Sequence, residues 1–139
     1  MLLSLDRLNR MVLEIAREHA VCRRLMTVPS VGVVVGLTFI AAIEDPARSA
    51  TLRSVGAILG LVPRKHQSGE VDRNGRITRT GDTEARAALF EAAHVMLHWV
   101  KKVATVALAR KMAVVMHRIW VDGTTFRFSA VKASAATTA

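Results

Sequence analysis

The chain has 139 residues, 51% of them hydrophobic and only 4% aromatic, with no tyrosine; this excludes a disordered chain and leaves a core of Val, Leu, Ala, Ile and Met. Its 20 Lys and Arg against 11 Asp and Glu give a net charge of +9, which points to a polyanionic partner: DNA, RNA or an anionic membrane surface. The single cysteine, Cys22, excludes an intrachain disulfide or a cysteine metal cluster and suits a reducing, cytoplasmic location. Asp6 and Arg7 stand where a secretory signal would carry its apolar run, which argues against export.

The first predicted element is a long helix. Leu5, Leu8, Val12, Ile15, His19, Cys22 and Met26 alternate in steps of three and four, a heptad seam flanked by Asp6, Arg7, Arg10, Glu14, Arg17, Glu18, Arg23 and Arg24. Residues 1–26 therefore read as a helical arm. It either packs on its own domain or forms the end of a coiled coil with another helix or a second copy of the chain. Pro29 stops it.

The stretch Met26 to Ile43 is uncharged, but Pro29 and Ser30 interrupt it, and the remainder is too short to span a bilayer. It reads as a buried helix entered through the tight turn Pro29-Ser30-Val31-Gly32. Helix, short hairpin, glycine, helix is the order of a helix-hairpin-helix, whose second helix offers unpaired N–H groups to a phosphate. Gly32 leaves the approach unobstructed by a side chain. A plain pair of core helices is the competing reading of the same residues.

Glu44-Asp45-Pro46 ends this helix. Thr51 to Leu59 predicts a short helix with Ser49 or Thr51 as its cap and Gly60 as its stop. The run "GLVPRKHQSGEVDRNGRITRTGDTEAR" follows, a long basic loop that leaves room for a small β-hairpin turning at Asn74-Gly75. Asp82 or Thr83 caps a helix running to about Lys102, and a further helix covers about Thr105 to Trp120; no Gly or Pro divides them, so one bent helix and two helices both fit. No acid occurs between Ala92 and Val121, while Lys101, Lys102, Arg110, Lys111 and Arg118 fall there, giving either a solvated basic face or a phosphate-facing surface. Asp122-Gly123 ends the fold, Phe126 and Phe128 are placed to tuck back onto it, and residues 130–139 read as a disordered tail. The fold class is mainly α.

The chemistry-bearing residues sit in the basic loop. Ser68 precedes a glycine and is surrounded in sequence by Arg64, Lys65, His66, Arg73, Arg76 and Arg79. Arginines neutralise the charge of a phosphodiester under attack, and a hydroxyl is the nucleophile type such a setting would use; a Ser-Gly pair is also an ordinary turn. His94 and His98 lie one helical turn apart, with Glu91 as the nearest third ligand, too little for a metal site.

Read together, "LMTVPSVGVVVGLTFIAAIED", "GLVPRKHQSGE", "GRITRTGD" and "ARKMAVVMHRIWVDGTTFRFS" resemble the C-terminal transposase domain of the insertion-sequence 110/116/902 family, over about Leu25 to Ser129. The resemblance implies a DNA-transposing recombinase in which Ser68 of the "QSG" motif matches the nucleophile. Gly32, Arg64, Lys65, Arg73, Arg76, Arg79 and Arg86 are expected to bind DNA. It also implies a helical arm at residues 1–26 that supports a homo-oligomer, a domain at 27–129, a structured guide RNA encoded by the element, and no membrane partner. The family's N-terminal RuvC-like domain, whose acidic tetrad holds Mg²⁺, has no match here. No cofactor is therefore expected in this chain, which is expected to be a truncated form, not active by itself. Three positions depart from the family pattern: Ser30 for a glycine, Asp82 for an asparagine and Thr80 for a basic residue. They leave open the alternative of a non-catalytic helix-hairpin-helix nucleic-acid-binding module.

Overall fold

A computed structural model describes residues 2–48, 51–68, 71–97 and 102–127, with the backbone alone for 52, 65–68, 71–74 and 102–103. In chain order the elements are α1 (Leu2–Glu18), α2 (Ala20–Leu25), α3 (Val33–Ile43), a 3-10 turn at Pro46–Arg48, α4 (Leu52–Ile58), β1 (Pro63–Ser68), β2 (Val71–Ile77), α5 (Thr83–Met96) and α6 (Lys102–Asp122). The mainly helical class is as expected, with one small antiparallel sheet, β1–β2.

The expected long first helix is two helices. At His19 the backbone turns extended, with ψ of 103°, and the His19 ring accepts the Cys22 N–H through Nδ1 at 3.3 Å, so the side chain caps a new helix. The break changes the seam's environment. Leu5, Leu8 and Ile15 are exposed on α1, whereas Cys22 on α2 is fully buried; Met26, just past α2, is exposed again. Burial also pushes the Cys22 thiol above its ordinary pKa.

The core is built where α3, α5 and α6 meet, with α2 and α4 laid against α6. Phe39 on α3 is fully buried and meets the half-buried Trp120 ring of α6 at 6.5 Å and 56°, an edge-tilted aromatic contact. Much of the rest of the core is small: Ala85, Ala92 and Ala93 on α5 and Ala109 and Ala113 on α6 are buried in the same cluster. These small residues bring the helix axes close, so a core poor in aromatics still fills its space. Ile58 on α4 and Met96 on α5 are exposed.

Local signals fix the helix ends. Thr51 Oγ1 accepts the Ser54 N–H at 3.3 Å to start α4, and Asp82 Oδ1 accepts the Ala85 N–H at 2.7 Å to start α5. α5 ends at Leu97, where ψ reaches 39°, and α6 begins at Lys102, so the acid-free region forms two helices. Gly123, at φ +65°, terminates α6. Beyond it the chain returns: Phe126 is half-buried against the core, and its N–H donates to Thr27 Oγ1 at 2.7 Å. Phe128, His98, Lys101 and the tail 130–139 lie outside the described residues.

Candidate nucleic-acid interface

The basic loop is a hairpin, and its reversal is not where the sequence suggested. Ser68 pairs with Val71, Gln67 with Asp72, His66 with Arg73 and Lys65 with Asn74, so the strands close across residues 69–70, which lie outside the described residues. Asn74-Gly75, the expected turn, lies within β2 instead. The register shifts between Pro63, opposite Ile77, and Lys65, opposite Asn74, so two residues of β2 oppose Arg64 alone. That is a β-bulge, the other use strands make of glycine.

The hairpin is fixed to the body at its root. The chain entering it, 58–62, and the chain leaving it, 78–82, run side by side through three backbone bonds. Thr78 N–H donates to the Val62 carbonyl at 2.9 Å, Arg79 N–H to Gly60 at 3.3 Å and Asp82 N–H to Ile58 at 3.3 Å. The two glycines make this approach possible. Gly60 has φ +65° and Gly81 φ +134°; a methyl on Gly81 would overlap the Ile58 carbonyl, and one on Gly60 would come within 2.7 Å of the Thr80 carbonyl. Arg86, one turn into α5, reaches across. Its Nη1 donates to the Leu59 carbonyl and its Nη2 to Thr83 Oγ1, both at 3.3 Å.

This geometry separates the residues grouped in the sequence. Ser68 occupies the closed end of the hairpin, with Lys65 and Arg73 paired a few residues behind it by backbone register. Arg64, Arg76 and Arg79 are exposed on or beside the strands, and Arg64 Nη2 donates to the Thr78 carbonyl at 3.2 Å. Arg86 is half-buried, and its guanidinium is occupied at the root. That role left no trace in the sequence: Gly60 reads locally as a helix stop and Gly81 as a helix start, and only the tertiary fold brings them together. Among the described residues the one ion pair is Arg48 with Glu44 at 3.9 Å, and Arg64, Arg76 and Arg79 pair with no described carboxylate.

The Pro29–Gly32 turn stands apart from the hairpin in the chain and joins α2 to α3. Ser30 holds φ at +65°, the left-handed region glycine enters freely. Gly32 is the exposed N-cap of α3, has no side-chain cap, and a methyl built on it would touch nothing within 4 Å. The fold thus has room for a side chain at 32, and the first-turn N–H groups of α3 are not capped by one. His94 is exposed and stacked on Phe90 at 6.4 Å. Among the described residues no three His, Cys, Asp or Glu side chains converge as metal ligands. No described helix is long and apolar enough to cross a membrane.

Comparison with known proteins matches residues 22–107 to the family model described as Transposase IS116/IS110/IS902 family. The chain is 31% identical over 87 residues to the transposase for insertion sequence element IS1111A of Coxiella burnetii, covering 63% of this chain and 24% of that protein. It is 34% identical over 91 residues to a probable family 20 transposase of Pseudomonas aeruginosa, covering 66% and 27% respectively. With the transposase for insertion sequence element IS1328 of Yersinia enterocolitica it shares 26% over 128 residues, covering 78% and 38%. The chain spans about a quarter of the length of the first two relatives.

Proposed function

This chain belongs to the IS116/IS110/IS902 transposase family, and from that premise we propose that it is a DNA-binding C-terminal transposase segment in which Ser68 attacks a DNA phosphodiester. Family membership supports a role in transposition; the assignment to Ser68 is supported by its position at the free end of a hairpin whose root is locked to the helical core. A nucleophile that must reach into a DNA backbone needs reach at one end and rigidity at the other. Arg64, Lys65, Arg73, Arg76 and Arg79, on or beside the same hairpin, hold the phosphate and offset its charge as the fifth bond to phosphorus forms. Arg86 enters as the residue that holds the root, and Gly32 as a separate backbone contact at the start of α3.

The step balances without a co-reactant. Ser68 Oγ gives up its proton to solvent and bonds to phosphorus. The P–O bond to one deoxyribose breaks, that oxygen leaves with the electron pair and takes up a proton, and one phosphodiester is exchanged for another. Attack by a deoxyribose hydroxyl of another strand reverses the sequence and releases Ser68. No step is routed through a metal; among the described residues no three His, Cys, Asp or Glu side chains converge.

Assembly belongs to the same reading. The exposed Leu5, Leu8 and Ile15 stripe of α1 suits pairing with a second copy. An element-encoded guide RNA is a second polyanion for such a basic chain.

The experiment uses the full chain and labelled duplexes from the DNA bracketing its own coding sequence. A protein–DNA adduct that survives denaturing electrophoresis and disappears in Ser68→Ala supports the nucleophile. An adduct that persists in Ser68→Ala refutes it. Tight binding with no adduct in either protein favours the second reading, a helix-hairpin-helix binding module, for which the uncapped and unobstructed Gly32 end of α3 is the supporting observation.

A further inference from the structure

Four cations outside the hairpin, Arg53, Arg110, Lys111 and Arg118, lie on α4 and α6, which pack against each other along a seam. The stem of Arg110 lies against α4 at Gly56: a methyl built there would stand 3.7 Å from Arg110 Cγ and Cδ, and 3.1 Å from Val62 Cγ2, one residue before β1. Arg110 is therefore beside the hairpin root. Arg53 is exposed three residues before Gly56, on a neighbouring position of the α4 surface. Two turns past Arg110, His117 Nε2 donates to the Pro46 carbonyl at 3.1 Å, so Pro46 and Gly56 meet α6 in the order opposite to its direction. Lys111 and Arg118 are exposed on α6, each one residue past a seam residue and so about 100° round the helix from it. None of the four cations has a carboxylate partner among the described residues.

We propose that this seam is a second contact surface for duplex DNA, on which Arg53, Arg110, Lys111 and Arg118 engage the sugar–phosphate backbone alongside the hairpin. The inference rests on the DNA-binding reading above and extends it from the hairpin to the helical body. From Arg110 to Arg118 is about 12 Å along α6 at 1.5 Å per residue, roughly the axial rise of three to four phosphates on one strand. Packing of the Arg110 stem against α4 fixes part of its side chain before DNA arrives, so less freedom is lost on binding. The surface also says which nucleic acid it fits. Among the described residues Phe39 is buried, and Phe90, Trp120 and Phe126 are half-buried, so none is an exposed platform for unstacked bases. Single strands are gripped by such platforms, whereas duplex DNA is gripped through its phosphates.

The test measures binding of the full chain to a mixed-sequence 30-base-pair DNA duplex across a potassium chloride series. The seam variant combines Arg53→Gln, Arg110→Met, Lys111→Gln and Arg118→Gln; methionine retains an apolar stem over Gly56. Removing one cation from a phosphate lowers the slope of log affinity against log salt by about 0.9. The expected result is a slope lower by about two to four and an affinity at least tenfold weaker, with unchanged thermal melting. A companion with lysine at all three arginine positions retains the wild-type slope. An unchanged slope in the seam variant overturns the proposal, as does equally effective competition by single-stranded RNA for the wild-type protein. A hairpin variant with Arg64, Arg76 and Arg79 changed to Gln runs in parallel. If it binds as wild type while the seam variant does not, the seam stands and the hairpin reading fails; a wild-type chain that does not retain the duplex sinks both.

Discussion

The helical core and the hairpin root are held together by different physics. In the core, Phe39, Leu25, Leu89 and Met116 are sealed from water and bound by packing alone, with the stabilisation spread over many neighbours. At the root the fastening is directional: three backbone bonds, two glycines in positive φ and one guanidinium. A distributed interaction gives way globally, a directional one locally. The molecule thus has a body that sets overall stability and a clamp that sets where the hairpin points, and substitutions should divide along that line.

The largest effect belongs to the body. Phe39→Ala leaves a cavity facing Trp120 and should cost about 3–5 kcal/mol, read as a lower urea midpoint shared by every probe of the fold. The clamp should answer differently. Arg86→Ala removes bonds from a charged donor to the Leu59 carbonyl and Thr83. At about 1.5 kcal/mol or more, the loss should appear as faster amide exchange at residues 61–64 and 75–79, with α6 amides protected as before. Uniformly faster exchange would mean that the clamp is part of the body. The salt slope of DNA binding should not move, because this guanidinium is spent inside the protein; a fall of about one would instead mark it as a phosphate contact.

What the sequence disclosed follows the same division. Helix ends were legible because caps act over three or four residues: Thr51, Asp82, Gly60 and Gly123 all stand at the ends their residue types suggest. The hairpin register was not. Asn74-Gly75 offers a reversal, yet it lies inside β2, and the hairpin's root is set by the contact of 58–62 with 78–82, segments about twenty residues apart. The clamp was invisible likewise, and Arg86 was grouped with the outward-facing arginines because a guanidinium in the sequence carries no sign of burial. The break at His19 was hidden by the unbroken heptad spacing, which a capping histidine does not disturb.

The turn into α3 tests the directional side more gently. Ser30 holds a left-handed backbone that favours glycine, so Ser30→Gly relieves strain while adding freedom to the unfolded chain. The balance should raise stability by up to about 1 kcal/mol, measured as a higher melting temperature. A loss of stability would show that the serine side chain contributes something the backbone angle does not reveal.

The smallest effect on stability should come from α1, and it breaks the equation of apolar with core. Leu8 is as apolar as anything on α3, yet it is 58% exposed, and Ala16 is the buried residue of its helix. Leu8→Glu removes almost no packing within one chain, so the unfolding free energy should change by no more than about 0.5 kcal/mol. If the stripe pairs with another copy, the same substitution places a carboxylate in the middle of that contact, and sedimentation should shift toward the monomer. A large drop in stability with an unchanged sedimentation coefficient would instead make α1 part of the body, and the exposed leucines would need a partner within their own chain.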